Sequence, residues 1–139
     1  MKYIGLDLGS RTLGVAMSDA LGMIARAYDT LRFKDDDYDT AINYTLELCK
    51  KEGVKTVVLG YPKHMNGDAG IRAQISEDFK AKIESQSDVK VVLADERLTT
   101  VIVNRAMITG NVRREDRKSK KDEMAAVVIL QNYLDRISF

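Results

Sequence analysis

Short apolar runs alternate along the chain with stretches whose apolar positions recur every three or four residues, and this alternation predicts the order of elements. "KYIGLDL" (Lys2–Leu8) and "TLGVAMS" (Thr12–Ser18) flank Gly9-Ser10-Arg11 and read as a β-hairpin. Ile24–Phe33 predicts a third strand. The acidic run Asp35, Asp36, Asp37, Asp39 then opens a helix that stops near Gly53, because acids in a first turn complement the helix dipole and glycine is a common C-terminal stop. Within it Ala41, Tyr44 or Thr45, and Leu48 keep helical spacing. The β-branched runs Lys55–Gly60 and Val89–Ala94 read as buried parallel strands. Between them lie a Pro/Gly loop (Pro62, Gly67, Gly70) and a helix from about Ala69 to Glu84. Thr99 or Thr100 caps a helix to about Thr109, which Gly110-Asn111 ends. A basic loop follows, and a last helix spans about Ser119 to Ile137.

Strands four and five alternate with helices, so they are expected parallel beside an antiparallel hairpin edge. The expected fold class is α/β: three layers around a mixed five-stranded sheet, one domain over residues 1–139. In such open sheets ligands gather at the carboxyl ends of the parallel strands. A net charge of +1 leaves electrostatic arguments to local clusters. The lone Cys49 rules out an intrachain disulfide and suits a reducing compartment, so the cytoplasm is the expected location. No run approaches the roughly 18 apolar residues of a membrane span, so no membrane partner is expected.

One residue breaks the first apolar run. Asp7 sits between Leu6 and Leu8, and a carboxylate there is costly to bury unless something neutralises it. Two further acids fall where the expected architecture converges. Glu96 lies just past the fifth strand, and Asp122 falls in the first turn of the expected last helix, at the head of the stripe Ala126, Ile129, Tyr133. Each also has a plainer explanation: a buried arginine partner for Asp7, an exposed strand end for Glu96, and a capping box Ser119-x-x-Asp122. The explanation that joins all three is a divalent-metal site. Carboxylates suit Mg²⁺ or Mn²⁺, and no Cys/His cluster argues for zinc. Two such ions about 4 Å apart activate a water and stabilise the leaving oxygen of a phosphodiester. Arg113, Arg114, Arg117, Lys118, Lys120 and Lys121, against only Glu115 and Asp116, make the segment before Asp122 a candidate polyanion clamp. With three Phe and no Trp there is no evident base-stacking platform.

Four blocks, "GLDLGSRTLGVAMSD" (Gly5–Asp19), "GYPKHMNGDAG" (Gly60–Gly70), "DERLTT" (Asp95–Thr100) and "KSKKDEMAAVVILQNYL" (Lys118–Leu134), resemble the signature blocks of the YqgF/RuvX family in the family's order. The resemblance implies an RNase H-like fold and a metal-dependent nuclease, a hydrolase of ester bonds. Family members are described both as Holliday junction resolvases acting on DNA and as nucleases maturing the 5′ end of precursor 16S ribosomal RNA. By the resemblance, the catalytic and metal-binding acids are Asp7, Glu96 and Asp122, with Mg²⁺ or Mn²⁺, two ions, as cofactor. Ser10 and Arg11 approach substrate phosphate, Arg97, Thr99 and Thr100 orient Glu96 or the scissile phosphate, and Lys118 and Lys120 lie on the basic approach. Two departures stand out. Tyr61 replaces the usual leucine of Gly-Leu-Pro, and Ala125 stands where junction resolvases of the RuvC type carry a further acid. The second departure favours RNA over a DNA junction as substrate. Ribosomal particles are the expected partner in that case, and a monomer or a homodimer fits the alternatives. A non-catalytic RNA-binding assembly factor on the same fold is a further alternative.

Overall fold

The structure, a computed structural model, describes residues 1–61, 67–95 and 114–137, of which 67–69, 95 and 114–123 are described by their backbone. Five strands form one sheet: β1 (Tyr3–Leu8), β2 (Thr12–Ser18), β3 (Ala25–Arg32), β4 (Thr56–Tyr61) and β5 (Lys90–Asp95). Their spatial order is β3-β2-β1-β4-β5. β1 pairs antiparallel with β2 and parallel with β4, and β4 pairs parallel with β5. The expected mixed sheet is therefore present, and the carboxyl ends of β1, β4 and β5 share one edge. Helix α1 (Tyr38–Glu52) lies between β3 and β4 in sequence, and α2 (Gly67–Gln86) between β4 and β5. Helix α3 (Arg114–Ile137) follows. The helix expected from Thr99 or Thr100 to Thr109 lies outside the described residues.

Alternation along the strands divides the core in two. Ile4, Leu6 and Leu8 of β1 join Leu13, Val15, Val57, Leu59 and Val91 on one face, covered by Ala41, Ile42, Leu48 and Cys49 of α1 and Phe79 and Ile83 of α2. Ala16, Ala25 and Val58 on the other face pack against Ala126, Ile129, Leu130 and Leu134 of α3. Helix α3 approaches β1 closely because Gly5 has no side chain: a Cβ there would stand 2.6 Å from Leu130 Cβ and 2.8 Å from the Ala126 carbonyl oxygen. Gln131 fixes the helix along the sheet. Its side-chain oxygen accepts from Ala25 N (2.9 Å), and its amide donates to the Met23 carbonyl (3.0 Å).

Two expectations need correction. The segment read as a basic loop is helical from Arg114 onward, so α3 begins five residues before Ser119. Arg, Glu and Lys are good helix formers, and no Gly or Pro interrupts the segment, so high charge did not make it a loop. The acidic run before α1 also does more than cap. Asp37 occupies the N-cap, but its carboxylate accepts from the Thr40 hydroxyl (2.7 Å) and makes no capping bond to a backbone N–H. Asp36 takes a left-handed backbone (φ 59°), and its N–H donates to the Ser10 carbonyl (2.9 Å), which ties this loop to the β1–β2 turn. Gly53 ends α1 as expected, in the left-handed conformation at φ 69°.

Candidate active site

Asp7 lies near the carboxyl end of β1, where the fold leaves a half-buried position. Leu6 and Leu8 point to the α1/α2 face, whereas Tyr3 and Gly5 meet α3, so Asp7 belongs to the α3 face. Its neighbours in the sheet are small. Gly14 is its partner on β2, Gly60 follows Leu59, the partner of Leu6, and Ala94 pairs with Gly60 on β5. No bulky side chain from an adjacent strand stands in the row of Asp7. Leu6 at 0% and Leu8 at 7% exposure make the strand around it a rigid mount.

Helix α3 runs past this strand in a readable register. The rings of Tyr3 and Tyr133 lie 6.0 Å apart, and Gly5 touches Leu130 and Ala126. Two residues along a strand advance ~6.8 Å and one helical turn ~5.4 Å, so each step of two on β1 takes α3 back about one turn. One turn before Ala126, on the same stripe, is Asp122. Continuing this register carries the helix backbone at 122 to the level of Asp7. Asp122 does not lie in a first turn, because α3 starts at Arg114 and residue 122 is about two turns inside it. The capping-box explanation, which needs Ser119 at a helix start, is thereby removed.

The other expected site residues divide in two. Glu96, Arg97, Thr99, Thr100 and Arg113 lie outside the described residues. Arg114, Arg117, Lys118 and Lys120 belong to the first turns of α3, on its backbone. Ser10 and Arg11 are exposed in the β1–β2 turn, which the Gly9 N–H closes onto the Thr12 carbonyl (2.8 Å). Arg11 is engaged within the protein. Its Nε donates to Asp35 Oδ1 and its Nη2 to Oδ2 (3.2 Å), a two-pronged pair in which both side chains stay mostly exposed. The hydrogen bond and charge of Asp35 raise the Arg11 guanidinium, and Arg11 holds the Asp35 carboxyl below its ordinary range.

Sequence reading passed over Arg72 and Gln131. Arg72 of α2 donates through Nη2 to the Leu8 carbonyl (2.7 Å), one residue from Asp7. Both side chains act across long sequence separations, which local periodicity cannot reveal. Tyr61, the departure in the second block, donates to Glu77 of α2 (3.4 Å). Cys49 is buried on the opposite face from Asp7, where burial raises its thiol to about 11, so it is no thiolate near neutral pH.

A mixed five-stranded sheet with helices on both faces, the hairpin strands on one side of β1 and the parallel strands on the other, defines an α/β domain of RNase H-like build. The Thermus thermophilus RuvC structure in complex with a Holliday junction substrate matches this fold with a TM-score of 0.62, at 14% identity, over 99% of this chain and 96% of that one. The chain belongs to the RuvX family: the model of that family, described as Holliday junction resolvase, matches residues 1–136. A relative from Shouchella clausii, named "Putative pre-16S rRNA nuclease", is 48% identical over 99% of this chain and 97% of its own length. One of the same name from Lactococcus lactis subsp. cremoris is 45% identical over 96% and 94%. Membership of this nuclease family makes the chain a hydrolase of phosphodiester bonds in nucleic acid.

Proposed function

We propose that the chain is a divalent-metal-dependent nuclease that processes the 5′ end of precursor 16S ribosomal RNA in the cytoplasm. The observation that carries this reading is Asp7: a carboxylate at the carboxyl edge of the central parallel strand, flanked by glycines and alanine, on the face that α3 covers. Hard oxygen donors fit Mg²⁺ or Mn²⁺, and the one cysteine lies on the opposite face, so the chemistry of the donor set agrees with such a cation. Asp7, Glu96 and Asp122 are the residues that would hold it. When bound, the metal supplies a water of lowered pKa and charge neutralisation at the scissile phosphate. The protein's part is to hold these acids on a rigid strand and helix, to meet flanking phosphates with Ser10 and Arg11, and to draw the polyanion with Arg113, Arg114, Arg117, Lys118 and Lys120. Arg97, Thr99 and Thr100 orient the second acid or the phosphate. Hydrolysis leaves a 5′-phosphate and a 3′-hydroxyl.

The relatives' name supports the RNA substrate, and ribosomal particles are then the natural partner. The family description supports a second reading, a Holliday junction resolvase acting on DNA. Ala125, buried at 6% exposure, stands where the RuvC type carries its further acid, which weighs against that reading. The test is cleavage of a precursor 16S ribosomal RNA and of a four-way DNA junction, side by side, with Mg²⁺, Mn²⁺ or EDTA. Expected are metal-dependent cleavage of the RNA and a drop of roughly a hundredfold or more in Asp7→Asn with its melting midpoint little changed. Cleavage that survives EDTA, or is intact in Asp7→Asn, overturns the metal mechanism. Symmetric cutting of the junction by a dimer favours the second reading, and tight RNA binding without cleavage favours a non-catalytic assembly factor.

A further inference from the structure

We propose that Arg72 of α2 is a phosphate-contacting residue of the nucleic-acid site, which assumes the reading above that this edge meets a nucleic acid. Arginine carries five N–H donors in a planar fork. Among the described residues Arg72 makes one hydrogen bond, from Nη2 to a neutral acceptor, the Leu8 carbonyl at 2.7 Å. Among the described residues no carboxylate forms an ion pair with it. Among those residues its charge is uncompensated, and the residue is exposed. The carbonyl it grips is the one after Asp7, so the guanidinium is anchored at the end of the strand that carries the candidate catalytic acid. Leu8, Tyr38, Arg72, Ile75 and Ser76 enclose a cleft of only about 10 Å³, too small for any small molecule. A ligand of Arg72 therefore approaches from the surface, as a backbone phosphate would.

The contrast with Arg11 sharpens the assignment. Arg11 is also exposed beside the β1–β2 turn, but Asp35 occupies its fork. Among the described residues, the positive charge beside this turn that no carboxylate pairs is on Arg72 rather than on Arg11. A fork with donors left over matches a phosphate's geometry, and each phosphate so neutralised adds about one unit to the salt dependence of binding.

Arg72 also serves as a clip between α2 and β1, so the test separates charge from clip. Arg72→Gln removes the charge and, with its amide two bonds short of Nη2, weakens the clip as well, whereas Arg72→Lys keeps the charge; the salt slope reads the charge and the melting point the clip. Binding of a fluorescein-labelled precursor 16S ribosomal RNA fragment is followed by anisotropy across a salt series in EDTA, where no cleavage intervenes. Expected for Arg72→Gln are affinity lower by about threefold to tenfold at low salt and a slope of log K against log salt smaller by about one. Arg72→Lys should recover most of that slope. An unchanged slope in Arg72→Gln overturns the inference, whether or not its melting point falls. The readout is independent of catalysis: loss of slope upholds the role of Arg72 even if Asp7→Asn still cleaves, and an unchanged slope sinks it even if Asp7→Asn is dead.

Discussion

Gly5 shows how much one missing side chain can decide. It sits in a strand, where glycine weakens pairing unless another backbone must come close. Here the backbone of α3 does, and a methyl at position 5 would meet Leu130 Cβ at 2.6 Å and the Ala126 carbonyl at 2.8 Å. Both are parts of the helix frame, so the helix itself must shift. Gly5→Ala is expected to cost about 1–3 kcal/mol of stability, the usual range for overpacking a filled core. It should also lower nuclease activity, since Asp7 and Asp122 lie just beyond this contact. Urea denaturation with an unchanged m-value and a lower midpoint would bear this out, and wild-type stability would count against the close packing. Cys49 invites a simpler check. Its thiol is buried and raised to about 11, so it should resist alkylation at pH 8 in the native protein and react at once in urea. At this scale Asp7 stands out in the sequence because a charge between two leucines needs a neutralising partner. Arg72 and Gln131 were not legible, because their partners Leu8 and Ala25 lie 64 and 106 residues away.

At the scale of elements, the strands were readable to within a residue or so, since buried β-branched runs bounded by turns leave few alternatives. The start of α3 was not. A dense run of Arg and Lys resembles a solvated loop and a helix's outer turns equally well, and no apolar stripe marks its beginning. What gained in force was Asp122, which moves from a helix start, where capping explains an acid, to a mid-helix position, where it does not. The acids before α1 read in the sequence as complements to the helix dipole, yet Asp35 holds Arg11 and Asp36 holds the Ser10 carbonyl. This loop works as a latch on the turn expected to meet phosphate. Exposed ion pairs are weak, so a phosphate can displace Asp35 at small cost. Asp35 ionises below the ordinary carboxylate range, so the latch is closed at neutral pH and opens only as pH falls through that lowered pKa. Asp35→Asn should therefore raise affinity for RNA at neutral pH and low salt by about twofold to fivefold, and the gain should vanish in 0.5 M salt. Anisotropy titrations of Asp35→Asn, Arg11→Ala and the double variant form the check. A gain that persists without Arg11 would show that Asp35 acts through general charge and not through the latch.

At the scale of the whole molecule, the candidate acids come from positions far apart in sequence: Asp7 on β1, Glu96 after β5, and Asp122 on α3. Among the described residues the α3 face of the sheet carries an apolar cluster, from Ala16 and Val58 to Leu130 and Leu134, and Asp7 stands at its carboxyl edge. Such a site exists only while β1 and α3 are docked, and the docking rests on the second core cluster and the Gln131 bonds. Cation binding must then be linked to global unfolding, because the unfolded chain scatters the ligands. A cation at ten times its dissociation constant should add about 1.4 kcal/mol. For a domain of 139 residues that raises the melting midpoint by roughly 4–7 °C. Bringing carboxylates together without a cation also carries mutual repulsion, which the bound ion relieves. Thermal melts in EDTA and in rising Mg²⁺ or Mn²⁺ should show this shift for the wild type. Asp7→Asn should show little or none, and it should melt in EDTA no lower than the wild type, since one of the repelling charges is gone. Equal metal-induced shifts in both proteins would mean that the cation binds elsewhere, and Asp7 would then need a different partner to explain a carboxylate in this strand.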